Sequence, residues 1–298
     1  MLQQVSFGPH FFQMAILFRN TILLSSMLCN AEVLYGITQA HVEKLEQADR
    51  IFFRRLFEVP NCTALEAFHL ETSTIPVRFL LIKKRLHYYW NILQREDEEL
   101  VKKVYYSQKS FSVRNDWFLQ VKADLDKCEI DLSECEIAKM SKYSFSKLIN
   151  EKINLIAAQY LVGLKERHSK SLYLKYSTEM QPYLCNENLS IQNKKLMFKI
   201  KNRLIDVKIN LKKKYNNNLE CRLCSLPEES QAHLMKCSKI IEDEEVQTAI
   251  GHYVYDDLFS GGLQIQTHLI KAWQLLMNVR KIKIMKAMNS DNLRQNFQ

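Results

Sequence analysis

The chain has 298 residues and a mass of 35.2 kDa, enough for one large domain or two smaller ones. Only 6 Gly and 5 Pro occur, where average usage would give about 21 and 15. This excludes glycine-rich phosphate loops, repeated tight hairpins and linker-rich architectures. Lys and Arg number 42 against 33 Asp and Glu, a net charge of +9, and 47% apolar with 25% charged residues excludes global disorder.

No basic stretch precedes the apolar residues that begin at Phe11, and no small-residue cleavage site follows them, so no secretory leader is expected. Arg19, Asn20, Ser25 and Ser26 interrupt residues 11–31, and Met14–Phe18 is far shorter than the about 20 apolar residues of a membrane span. A buried helix is predicted there instead. Without a leader, the eight cysteines read as free or metal-bound thiols in an intracellular compartment, nuclear or cytoplasmic.

Residues 39–58 predict an amphipathic helix with Thr38 as N-cap, apolar spacing through Val42, Leu45, Phe52 and Leu56, and Pro60 as its stop. Thr63 and Glu66 have the spacing of a capping box for a short helix carrying Leu65, Phe68 and Leu70. A longer helix follows Pro76, with Phe79, Ile82, Leu86, Tyr89 and Leu93 repeating at three and four. These helices predict a bundle over 11–105. Residues 106–190 read as a helical linker region, with an acidic, solvated connector or exposed helix over Asp124–Glu136 and helical period over 141–165.

A basic helix is predicted from Ser190. Between Lys194 and Lys214 lie nine Lys or Arg and a single acid, Asp206, so nearly all the excess charge sits in one window. Such a window suits a polyanion, and Phe198 and Tyr215 are candidate stacking partners for bases. The same lysines also fit a merely solvated face.

Cys221 and Cys224, then His233 and Cys237, form C-x2-C-x8-H-x3-C. Two thiolates from a tight turn, and an imidazole and thiolate one helical turn apart, supply the four N/S ligands of tetrahedral Zn2+. Pro227 lets the intervening residues double back. All four corners come from protein, which predicts a closed, structural site over 191–240. Tyr255, Asp256 and Asp257 have the look of paired polymerase carboxylates, but no third carboxylate or strand pattern accompanies them. No catalytic residue is predicted. In the tail, 241–298, Leu269, Ile270, Trp273, Leu276, Met277, Arg280 and Ile284 form a stripe for a core or a partner helix.

Met197–Leu211, the Lys212–Lys214 run and the Cys/His cluster resemble the C-terminal region of non-LTR (LINE-type) retrotransposon polyproteins, of the site-specific kind with a restriction-like endonuclease. Residues 26–38, 45–57 and 71–78 resemble the thumb that follows the reverse-transcriptase palm, and 255–260 resembles a segment after the cluster. Fingers and palm would lie before Met1. No endonuclease motif follows Cys237, and no proline follows Pro227.

The resemblance implies an all-α, non-catalytic remnant comprising a thumb-like bundle, a linker and a CCHC knuckle. It would bind RNA and/or DNA, with no membrane and no small-molecule substrate. Cys221, Cys224, His233 and Cys237 would hold zinc, and Lys199, Lys201, Arg203, Lys208, Lys212, Lys213 and Lys214 would contact phosphates. The alternatives are a zinc-containing scaffold that docks a partner protein through the C-terminal helix, and a decayed fragment without a selected role.

Overall fold

A computed structural model describes residues 8–34, 36–61, 63–111, 116–167, 177–210, 218–253, 255–256, 259 and 263–295. The fold is all-α, with no strand among the described residues. In chain order the helices are α1 (Phe11–Phe18), a π turn (Arg19–Leu23), α2 (Leu24–Met27), α3 (Gln39–Phe57), α4 (Leu65–Thr72), α5 (Val77–Leu93), α6 (Leu100–Ser110), α7 (Trp117–Lys127), α8 (Glu134–Lys139) and α9 (Lys142–Arg167). There follow α10 (Pro182–Cys185), α11 (Ile191–Lys201), α12 (Gln231–Leu234), α13 (Ser238–Ile241), α14 (Glu244–Ile250) and α15 (Leu263–Gln295). Among the described residues no helix is long and apolar enough to cross a membrane.

The chain divides into two compact units. A bundle unit comprises Ala15–Leu56 and Ala64–Arg167; a C-terminal unit comprises the described residues up to Met14, those of Phe57–Thr63 and those after Arg167.

In the bundle unit the predicted α5 stripe is the centre of the core. Phe79, Ile82, Leu86, Tyr89 and Leu93 are all buried, and each apolar side chain fully buried contributes roughly 1.5–3 kcal/mol. They pack on Trp117 and Val121 of α7, Ile137 of α8, and Phe145, Ile149 and Ile153 of α9. The bundle therefore does not end at 105. Residues 106–167, expected as a linker, supply half of its core.

The acidic segment keeps Asp126, Glu129, Asp131 and Glu136 exposed, as expected, but its other face joins the core. Asp124 is buried and accepts from Arg85 Nε at 2.7 Å, while Cys128, Ile130 and Ile137 are buried beside it. A helix face with one acid paired to a cation reads as polar in sequence but packs as core. The expected capping box at Thr63 does not form. Its hydroxyl donates to Pro60 O at 2.8 Å, and α4 starts after Ala64, which has no side-chain cap bond.

In the C-terminal unit α15 packs against α14, α11, α10 and α13. Leu269, Ile270, Trp273, Leu276 and Arg280 are buried, so these positions of the stripe are core, while Met277 and Ile284 are partly exposed. An aromatic stack also lies here: Phe12, Phe57 and Phe198 are fully buried, with ring centroids 5.0 Å apart for Phe12–Phe57 and 4.0 Å for Phe57–Phe198. Phe198 is thus unavailable to stack on a base, and Tyr215 lies outside the described residues.

Candidate metal centre and basic segment

Four side chains converge in the C-terminal unit. The thiol sulfurs of Cys221, Cys224 and Cys237 and a ring nitrogen of His233 all lie within 4.8 Å of one another, and the group can hold a metal ion. Cys221 Sγ is 3.9 Å from Cys237 Sγ, and Cys224 Sγ is 3.3 Å from His233 Nε2. Cys221 and Cys237 are buried; Cys224 and His233 are partly exposed.

The local backbone explains the convergence. Ser225 N donates to Cys221 O at 3.0 Å, and Ser225 takes a positive φ of 60°, folding the C-x2-C turn. Past Pro227 the chain runs back alongside itself: Cys221 N donates to Leu226 O at 2.8 Å and Glu229 N to Leu219 O at 2.7 Å. Ser230 then caps α12, accepting from His233 N at 3.1 Å, which aims the imidazole at the cluster.

His233 and Cys237 do not share a helix face as the spacing suggested. α12 stops at Leu234, and Cys237 is the N-cap residue of α13. Burial, then the neighbouring Cys221 sulfur, pushes the Cys237 thiol up to about 12. A bound cation is what would bring that thiol into its ligating, deprotonated form.

A second layer, invisible in the motif, braces the loop. Glu229 is buried, and its carboxylate accepts from Arg222 Nε at 3.0 Å, from the Arg222 backbone N at 2.9 Å and from Arg280 at 2.7 Å. Although burial opposes ionisation, these donors hold the Glu229 carboxyl down at about 2. Both guanidinium groups also donate to Asp206 O, at 2.8 and 2.7 Å. Ile209 N donates to Glu229 O at 3.2 Å, and Asn210 Nδ2 donates to Gln231 Oε1 at 2.9 Å. The metal loop, the segment 205–210 and α15 are therefore one hydrogen-bonded assembly. Only a Glu lying between two ligands and an Arg inside an apolar stripe hinted at it.

The basic window is not a continuous rod. α11 begins as expected, with Ser190 Oγ accepting from Asn193 N at 3.2 Å, but it ends at Lys201. Arg203 turns left-handed at φ 52°, Arg203 N donates to Ile200 O and Leu204 N to Lys199 O, closing a Schellman motif. Three lysines of α11 point inward because Met197, Phe198 and Ile200 on the same short helix are fully covered. Lys194 is 0% exposed, Lys195 bonds Glu58 at 2.6 Å, and Lys201 lies over the Tyr183 ring and 3.4 Å from Gln181 Oε1.

Of the predicted phosphate contacts, Lys201 is thus buried, while Lys199, Arg203 and Lys208 are partly exposed. Burial holds the Lys199 ammonium below its usual range, and Lys208 donates to Asn218 Oδ1 at 3.2 Å. Lys212, Lys213 and Lys214 lie outside the described residues. Of the suspected carboxylate pair, Asp256 is described and Asp257 is not, and the Tyr255 hydroxyl accepts from Gln231 Nε2 at 3.0 Å beneath the metal loop. No protein-family model, curated protein or solved structure matches the chain.

Proposed function

We propose that the chain is a non-catalytic nucleic-acid-binding module whose C-terminal unit is held together by Zn2+, as a remnant of a LINE-type reverse transcriptase would be. The observation that carries the reading is the convergence of three sulfurs and one ring nitrogen within 4.8 Å. Zinc–sulfur bonds of about 2.3 Å at tetrahedral angles put sulfurs about 3.8 Å apart, and Cys221 and Cys237 are separated by 3.9 Å. A soft donor set of three thiolates and one imidazole suits zinc, and with all four corners supplied by protein no position is left to activate water. When bound, the ion supplies folding free energy to a loop with little core of its own, on the order of 10–16 kcal/mol in small zinc units.

The chain's own residues would do the binding. Lys208 sits on the segment 205–210 braced by Arg222 and Arg280, with Arg203 just before it and Lys199 one helical turn earlier. Phosphate contact by lysine and arginine releases counterions, so affinity should fall steeply with salt. A filter-binding titration of single-stranded RNA and DNA is expected to give a log–log slope of about −3.5 if five phosphates are engaged. Elemental analysis of the same protein should find one zinc per chain. A slope near zero, or protein without stoichiometric zinc, overturns the proposal.

A further inference from the structure

The bundle unit contains a half-open recess of about 570 Å³ between the π turn with α2 on one side and α5 on the other. That volume falls within the range that holds drug-sized ligands, about 300–1,000 Å³. One part of its wall is apolar, formed by Ile16, Leu24, Leu28 and Leu80 with the Tyr88 ring. The other part carries three cations, Arg19, Lys83 and Lys84, against one acid, Glu32, with His87 and the neutral donors Asn20, Asn91 and Ser25 beside them.

The charges in that wall do not cancel. Arg19 is neutralised from behind by Asp49, through two bonds of 2.7 Å. Lys84 donates to Leu28 O at 3.0 Å and reaches Glu32 at 3.4 Å. Lys83 is half-buried and has no acceptor or carboxylate partner among the described residues. Burial alone lowers its pKa, with no anion to raise it, and burial first, then the Lys83 and Lys142 charges, hold His87, one turn along α5, below its usual range. A cation partly withdrawn from water with no carboxylate opposite it is open to an ion pair. An entering anion would complete it, with the amides of Asn20 and Asn91 and the Ser25 hydroxyl as further donors.

We infer that this recess binds a small organic anion with an apolar body, its carboxylate, sulfonate or phosphate at Lys83 and its body against Leu24, Leu28 and Tyr88. The inference is independent of the zinc and nucleic-acid reading, since every wall residue belongs to the bundle unit.

A matched pair of fluorescent probes tests it on the full chain. 8-Anilinonaphthalene-1-sulfonate carries the anion, and N-phenyl-1-naphthylamine is the same body without it. The sulfonate should bind saturably. Lys83→Met should weaken it at least tenfold and Lys83→Arg should restore it, while the neutral probe changes less than twofold in either. Ser25 is exposed on the rim, and Ser25→Trp should fill the recess and abolish both without disturbing the core. Unchanged sulfonate affinity in Lys83→Met, or binding of both probes that survives Ser25→Trp, overturns the inference.

Discussion

His69 lies wholly inside the bundle unit, its Nδ1 2.8 Å from the Thr74 hydroxyl and its Nε2 3.9 Å from Asp49. Burial, then the Arg19 charge, holds the imidazole well below its usual 6.5. It is therefore neutral in the folded protein under conditions where the unfolded chain, titrating near 6.5, takes up a proton. The sign follows: below about pH 6.5 unfolding binds one more proton, so stability falls as pH falls, by about 1.4 kcal/mol per pH unit. Urea midpoints measured at pH 7.5 and 5.5 should diverge, and His69→Gln should lessen the divergence; an equal pH dependence in both proteins would count against the assignment. Nothing in the sequence marked this residue. A lone histidine on a short helix has no pattern, and its partners Arg19, Asp49 and Thr74 are scattered through the chain.

At the scale of elements, α15 and the metal loop are bound to each other through Arg280. Its guanidinium, buried within the apolar stripe, holds Glu229 and Asp206 O together with Arg222. Groups that brace a ligand loop in this way change metal affinity when removed, typically by 10–100-fold. Arg280→Met keeps the side chain's apolar length and deletes the brace. Competition with a chromogenic chelator should show zinc held about 10–100-fold more weakly, with the four ligands intact; unaltered affinity would limit Arg280 to packing.

Periodicity made α3, α5 and α9 legible, because a long apolar stripe leaves few alternatives. The Cys/His cluster was legible for a different reason, since cysteine pairs at that spacing have few other uses. What stayed hidden were polar residues that bury by pairing: Asp124 with Arg85, Glu229 with two arginines, Lys195 with Glu58. A charge in a sequence does not reveal whether its partner is water or another residue. The early end of α11 was equally hidden, because it depends on a left-handed turn at an arginine and not at a glycine.

For the whole molecule, the two units have different sources of stability. The bundle unit rests on a large apolar core running from Phe79 to Ala157 and a second buried cluster of Leu24, Leu28, Ala31, Val77 and Leu81, whereas the loop of the C-terminal unit carries the Cys221, Cys224, His233 and Cys237 cluster, which can hold a metal ion. Cys224→Ser should release the metal and speed hydrogen exchange across 218–241, while α5 and α9 keep their protection. Loss of protection throughout the bundle unit would show that the two do not unfold separately. The aromatic stack adds a constraint of a different kind. Phe57, stacked on Phe12, finds Phe198 only across 141 residues of chain. On the ribosome, the residues of the bundle unit can all have emerged while these two rings still lack their third member. The N-terminal half thus carries bare aromatic surface through much of its own synthesis, a natural foothold for chaperones. A chain that stops before Phe198 would leave those two rings without that cover.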